Sequence, residues 1–233
     1  MNTLLGKHWH QLPASEVLDL LDSDIQQGLD LFEIKHRQER FGFNVLTPKK
    51  GKSSLMRFLL QFNNPLMIIL LAASLITAVL KDPTDAVVIF GVVLVNAVIG
   101  YIQESRAEKS IAALAKSMTT EAAVIRSGKV KRLPAAELVP GDIVQLQAGS
   151  RIPAAIRLIT SRALQATEAA LTGESVPVAK DANLLSDHDA VLAERRNMAY
   201  ASTLVTYGTA SGIVVAIGDG SEIGRISQLI SSA

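Results

Sequence analysis

The sequence contains no cysteine, so disulfides, thiolate metal sites and cysteine nucleophiles are excluded and the core must hold by apolar burial. Aromatic residues are scarce at 4%, charged residues make up only 19%, and the formal net charge is +1. So small an excess of positive charge cannot neutralise a run of phosphates, which argues against nucleic acid as a partner. A cleaved leader is not expected either. His8, Trp9 and His10 interrupt the first residues, and no apolar run of sufficient length precedes Pro13. The N-terminus is therefore expected to remain cytoplasmic. Apolar residues, by contrast, are abundant. They reach 48% of 233 residues, and the mean hydropathy of +0.28 marks a chain that places part of itself in lipid.

Four short patterns carry less than they suggest. Gly51, Lys52 and Ser53 look like the end of a phosphate-binding loop, but Leu46 stands where its first glycine should be. Gly218, Gly220 and Gly224 are one residue too widely spaced for a dinucleotide fingerprint. His8, His10 and His36 lack further ligands for a metal and read as surface groups. The basic run from Lys129 to Arg132 reads as a solvated edge that discourages strand pairing.

Four regions separate by composition. Residues 1–52 are polar with helical periodicity. A helix carrying Val17, Leu18, Leu20 and Leu21 is expected to follow Ser15 as N-cap, with Glu16 in its first turn. A second is expected from Asp30, where Glu33 has capping-box spacing, to Gly42. Residues 58–80 and 86–103 contain no charge, and the first run is long enough for a hydrocarbon core of about 30 Å. Lys81, Asp82, Pro83, Thr84 and Asp85 form a tight link between them, so the pair is expected to be a transmembrane hairpin. Asn63, Asn64 and Pro65 should kink or break its first helix. Lys49, Lys50, Lys52 and Arg57 precede the hairpin, and Arg106, Lys109 and Lys116 follow it, which places both flanks in the cytoplasm and the link outside. Residues 104–118 continue the second span as an amphipathic stalk with Ala107, Ile111, Leu114, Ala115 and Met118 on one face; a solvated linker fits the same residues.

From residue 119 onward the period changes. Residues 122–126 and 129–133 flank Ser127-Gly128, a hairpin signal, and strands are expected near 143–146, 156–159 and 209–217 before a final helical stretch at 221–232. Many short strands punctuated by glycine and proline predict a β domain of sandwich or jelly-roll type. One polar loop stands out inside it: Thr172-Gly173-Glu174-Ser175, between apolar flanks and followed by Val176-Pro177. Gly173 permits an unusual backbone angle, and the proline fixes the exit direction. A carboxylate thrust outward between two hydroxyls can orient a water molecule and take its proton, although a solvated turn is the commoner meaning of such a loop.

The whole chain resembles the N-terminal portion of the P-type cation-transporting ATPases, in their calcium-pump-like branch. Thr172-Gly173-Glu174-Ser175 is similar to the family's actuator signature, and Pro140-Gly141-Asp142-Ile143-Val144 to its strand-entry motif. Phe62-Asn63-Asn64-Pro65-Leu66 resembles the start of the first transmembrane helix. Asn96, Gly100, Gln103, Glu104 and Ala107-Glu108-Lys109 resemble the second helix and its stalk. Gly28-Leu29 and Gly42-Phe43-Asn44-Val45-Leu46 resemble the N-terminal module, and Ile223-Gly224-Arg225-Ile226 the approach to a third helix. The resemblance implies an α+β membrane protein: a helical N-terminal module over 1–52, two transmembrane helices with a stalk over 53–118, and a distorted jelly-roll actuator over 119–233. It implies a multi-pass protein of the cell membrane whose actuator is cytoplasmic. It further implies that Glu174, in a loop made by Thr172, Gly173 and Ser175, positions the water that hydrolyses an aspartyl phosphate.

The family's phosphorylation motif, Asp-Lys-Thr-Gly, does not occur. The chain is therefore expected to be inactive alone, with no cofactor of its own. ATP and Mg2+ are implied only for a complete pump, whose partners would be the bilayer, the missing phosphorylation, nucleotide-binding and later membrane domains, and a cation such as Ca2+. A membrane-anchored regulator without catalysis, or one half of a split pump, are the alternatives. Ser150, Ala155 and Thr167 stand where the family usually carries acidic residues, and losing three carboxylates around one loop would remove acceptors for backbone amides.

Overall fold

A computed structural model describes residues 8–47, 53–80, 83–117 and 120–232. Its helices are α1 (Ala14–Leu20), α2 (Leu31–Phe41), α3 (Ser54–Leu60), α4 (Pro65–Val79), α5 (Pro83–Ser117), α6 (Ala169–Thr172) and α7 (Glu222–Ser232). Its strands are β1 (Glu121–Arg126), β2 (Lys129–Pro134), β3 (Ile143–Gln147), β4 (Ala155–Thr167), β5 (Val178–Ala179), β6 (Met198–Ala199) and β7 (Leu204–Ala216). The described residues form two compact units, one drawn from 1–48 and 119–233, the other from 49–118.

In the first unit the strands join in one antiparallel sheet of order β2-β1-β3-β7-β4-β5, with β6 added to β4. The β1–β2 hairpin turns through Ser127 and Gly128, both at positive φ (51° and 70°), as a two-residue turn matched to strand twist requires. Alternation then sorts side chains by face. Val144, Leu146 and Val214 enter one apolar cluster with Ile156 and Leu158, whereas Ile143, Ile213 and Val215 enter another. Trp9, Val17 and Leu21 complete that second cluster, so the N-terminal stretch is the cover for one face of the sheet. Val17 is fully buried there, worth about 2 kcal/mol of apolar transfer.

Polar contacts fasten the same stretch. Asp30 caps α2 by accepting from Glu33 N (2.8 Å), and Gly42 ends the helix at φ 78°. Arg37, on the buried face of α2, donates to Pro140 O (2.9 Å) and Asp22 O (3.2 Å). Gly141 lies so close to that guanidinium that a Cβ would sit 2.0 Å from Arg37 Nη1, and its φ of 98° also favours glycine. Asn44 donates to Ala135 O and Pro153 O and accepts from Gly218 N, each at 2.9 Å.

Three expectations change. His10, expected at the surface, is buried, because the N-terminal stretch packs its ring against the chain at Asp187, whose carbonyl lies 3.1 Å from Nε2. Helix α1 begins at Ala14 after Pro13, not after a Ser15 cap, because Pro13 (φ −56°, ψ 148°) sets the extended residue from which the helix starts. Strands β4 and β7 are much longer than the apolar runs that signalled them, since their outer halves are polar and carry several register shifts.

In the second unit, residues 58–80 are not one helix. Ser53 caps α3, Asn64 caps α4 with Pro65 in its first turn, and the two helices are bent by 75° across the break. The cause is the Asn-Asn-Pro step: the proline cannot continue the helix behind it, and the asparagine offers a cap to the next one. Helix α4 packs through Met67 against Val93 and Ala97 of α5, and Ser74 donates to Ala86 O (3.0 Å). Below the break, Gln61 donates to Glu104 (2.6 Å) and Arg57 pairs with Glu108. One described helix is long and apolar enough to cross a membrane, Thr84–Ser110 within α5; α3 and α4 qualify only if their bent pair is counted as one span. With 15 residues, α4 is about 22 Å long at 1.5 Å per residue, short of a bilayer core. Helix α5 does run on past residue 103 without interruption, as a stalk would. Lys49, Lys50, Lys52, Lys81 and Asp82, and the side chains of Ile111, Leu114, Ala115 and Lys116, lie outside the described residues.

Candidate functional site

The loop singled out by sequence is an excursion from the end of β4. The chain leaves β4 at Thr167, makes one helical turn in α6, turns at Gly173 and returns as β5, which pairs back onto β4 through Gln165–Ala179 and Ala166–Val178. Gly173 ends α6 in the left-handed region (φ 77°), with open space around it, so backbone angle rather than crowding is what calls for glycine. Thr172 Oγ1 donates to Glu168 O (3.2 Å) and accepts from Glu174 N (3.3 Å). Its hydroxyl is thus used to shape the turn. Glu174 and Ser175 are both exposed, and Glu174 lies midway along the excursion in sequence.

Beneath the exposed tip lies a buried ion pair. Glu168, the residue before α6, and Lys180, the residue after β5, have fully buried side chains, and Lys180 Nζ meets Glu168 Oε1 at 2.5 Å. Among the described residues neither ion has a further hydrogen-bond partner. Burial pushes the Glu168 carboxyl up and the Lys180 ammonium down, and each ion partly offsets the shift of the other. The ammonium also lies 5.2 Å from the Tyr200 ring centroid, within cation–π range. Leu171 of α6 packs on the apolar cluster that contains Tyr200.

Three further buried charges support the surrounding sheet. The Asp142 carboxylate accepts from Arg126 Nε (2.8 Å), Arg126 Nη2 (2.6 Å) and Val139 N (2.9 Å). Among the described residues Arg157 has only carbonyl partners: Leu12 O (2.9 Å), Leu158 O (2.6 Å), Ala182 O (3.0 Å) and Asn197 O (3.4 Å). Burial pulls its pKa down to about 10.

Sequence reasoning passed over Lys180, Arg126 and Arg157. The available signal was a charged residue in a strand or loop otherwise committed to the core. Ser150, Ala155 and Thr167 do not surround one loop: Ser150 lies in the turn after β3, and Ala155 and Thr167 occupy opposite ends of β4. Thr167 adjoins the Glu174 excursion in sequence, and Ser150 O accepts from Val205 N, the register partner of Ala166. Among the described residues no group of three or more His, Cys, Asp or Glu side chains is arranged to hold a metal ion.

An exposed carboxylate on a pinned, glycine-turned excursion can accept a proton from a water delivered by a partner surface. Comparison with known proteins supplies the setting. Residues 116–231 match the P-type ATPase actuator domain, and residues 9–77 match the N-terminus of cation transporter/ATPases. The chain belongs to the P-type cation-transporting ATPases. It is 50% identical over 97% of its length to cation-transporting ATPase pma1 of Synechocystis sp.. It is 49% identical over 96% of its length to probable cation-transporting ATPase F of Mycobacterium tuberculosis. It is 39% identical over 97% of its length to the calcium-transporting ATPase of Bacillus subtilis. The chain spans about a quarter of the length of these relatives, 25% in each case. In this P-type ATPase segment the β-rich part of the first unit is the actuator domain, and the Glu174 excursion projects from it.

Proposed function

We propose that this chain provides the actuator and first membrane helices of an ATP-driven cation pump, and that Glu174 positions the water that hydrolyses the pump's aspartyl phosphate. In that step the water oxygen attacks phosphorus, its proton passes to Glu174, and the phosphorus–oxygen bond to the aspartate breaks to release a carboxylate and inorganic phosphate. Thr172 and Gly173 shape the turn that holds Glu174, and Ser175 completes the exposed tip. The observation that carries this reading is the exposure of Glu174 at the tip of an excursion whose base is pinned to β4 and to a buried ion pair.

In the proposed pump the bent α3–α4 pair and α5 both cross the bilayer, with the N-terminal stretch and the actuator in the cytoplasm. Leu66, Ile69, Leu75, Ile76, Val87, Val88 and Val95 are exposed on these helices, which suits contact with lipid. ATP and Mg2+ act in the remaining part of the pump, where the aspartate and the nucleotide site must lie. Calcium is the proposed cargo, because relatives named calcium-transporting ATPases, such as that of Bacillus subtilis at 39% identity, match nearly the whole chain.

The test is a chimera in which this chain replaces the corresponding first quarter of the cyanobacterial relative. Restored ATP-driven ion uptake, with calcium preferred among divalent cations, is expected. A chimera that forms the aspartyl phosphate but cannot discharge it, while the parent does, would show that this segment is not a working actuator.

A further inference from the structure

We propose that the buried Glu168–Lys180 ion pair is the positioning device for Glu174, tying together the two feet of the excursion so that the carboxylate at its tip stands in one place. The proposal rests on the reading of Glu174 as the water-positioning group.

The two residues occupy the points where the excursion begins and ends. Glu168 O accepts from Leu171 N (2.8 Å), Thr172 N (3.0 Å) and Thr172 Oγ1 (3.2 Å), so its backbone carries the whole of α6. Lys180 N donates to Leu164 O (2.9 Å), which closes the returning strand on β4. The side chains then join these two feet directly, Nζ to Oε1, in surroundings that no solvent reaches. Gly173 N still donates to Ala169 O (2.9 Å), but beyond it the bond from Glu174 N to Thr172 Oγ1 is long, at 3.3 Å, and residues 174–177 are exposed. Where Glu174 stands is therefore decided at the base.

A buried ion pair is a poor source of stability, since stripping water from both ions offsets their attraction. It is a good source of geometry, because either ion without the other is left in an apolar site with nothing to replace it. The site here is extreme in that respect: both side chains are fully buried, and among the described residues neither has any further hydrogen-bond partner. The Tyr200 ring beside Lys180, and Leu171 packed in the same cluster, seat the pair on the core of the sheet rather than on the exposed part of the loop.

The decisive variant replaces both ions, Glu168→Leu with Lys180→Met, which removes the tether without stranding a charge. Because the chain has no cysteine, Val176→Cys gives a unique attachment point for a nitroxide label at the exposed end of the loop. In the 233-residue chain the label's EPR spectrum is expected to show an immobilised component that the double replacement abolishes, while buried Trp9 keeps its native emission. In the full-length chimera the same double replacement is expected to slow decay of the aspartyl phosphate by about 100-fold, the effect of a misplaced catalytic group, with its formation from ATP unchanged. Glu168→Gln and Lys180→Met singly should do the same.

An unchanged label spectrum in the double variant overturns the proposal whatever the pump does. If the label is freed and decay stays normal while Glu174→Ala still slows it, the positioning role is refuted. If Glu174→Ala also decays normally, the reading of Glu174 has failed instead, and the tether stands as a structural feature only.

Discussion

Asp142→Ala should destabilise the first unit severely, because it strands a guanidinium in the protein interior. Asp142 and Arg126 are both buried, with side-chain exposures of 0% and 7%. The carboxylate takes two hydrogen bonds from the guanidinium and one from Val139 N. Removing it leaves a buried cation whose only remaining partner among the described residues is Glu137 O (3.0 Å), and takes the acceptor from the Val139 N–H. Breaking a buried pair from one side costs about 3–5 kcal/mol. Removing both ions, Asp142→Leu with Arg126→Met, leaves only the orphaned N–H and should cost about 1–3 kcal/mol. The assay is urea unfolding of the chain in detergent micelles, followed by the emission of Trp9, the one tryptophan, which lies buried in the first unit and so reports on it alone. At a slope of about 2 kcal/mol per molar, the single replacement moves the midpoint down by about 1.5–2.5 M and the double by about 0.5–1.5 M. A double variant no more stable than Asp142→Ala, or a single variant within about 1 kcal/mol of the parent, would refute this reasoning.

Three other outcomes follow from the same contacts. Arg157→Met takes the guanidinium away from carbonyls at Leu12, Leu158 and Ala182, while Asn197 O keeps its bond from Leu158 N, and should cost about 2–4 kcal/mol in the Trp9 assay. The pKa of His10 is held below its ordinary 6.5 by burial, then by Arg195 and His8, against hydrogen bonds to backbone carbonyls at Asp187 and His188. A lowered folded-state pKa contributes stability that is present above 6.5 and is lost as pH falls through the folded value. The urea midpoint should therefore drop between pH 7.5 and pH 5.5, and by less in His10→Gln, read by the same emission. Gly173→Ala forces a side chain into the left-handed region at a cost of about 1 kcal/mol without steric clash. It should slow aspartyl-phosphate decay by about tenfold in the chimera while unfolding stability falls only by that amount.

Local features of the fold were legible where one residue type decides them. The Ser127-Gly128 turn, the Asp30 cap, the Gly42 stop and the break at Asn63-Asn64-Pro65 each follow from backbone chemistry within a few residues. Pairings across long sequence distances were not legible. Nothing near Trp9 or Val17 announces that they cover a sheet formed after residue 120, and nothing near Glu168 names Lys180 as its partner. The lengths of β4 and β7 were hidden because their outer halves carry Thr160, Ser161, Arg162, Thr206 and Tyr207, which match no apolar pattern. The span expected over 58–80 was right about the weak point but too generous to the helix, since α4 alone is short. Glu174 could be placed on an exposed turn from its neighbours, but its proposed chemistry came from family resemblance, and the geometry adds the pinned base.

The most direct test of the account is the rate at which a full-length pump carrying this segment loses its aspartyl phosphate when Glu174 is changed to Ala. A general base contributes about 100- to 10,000-fold, so decay should slow by that factor while phosphorylation by ATP proceeds at the parent rate and the phosphoenzyme accumulates. Decay within about twofold of the parent, with normal phosphorylation, would contradict the central claim that Glu174 positions the hydrolytic water.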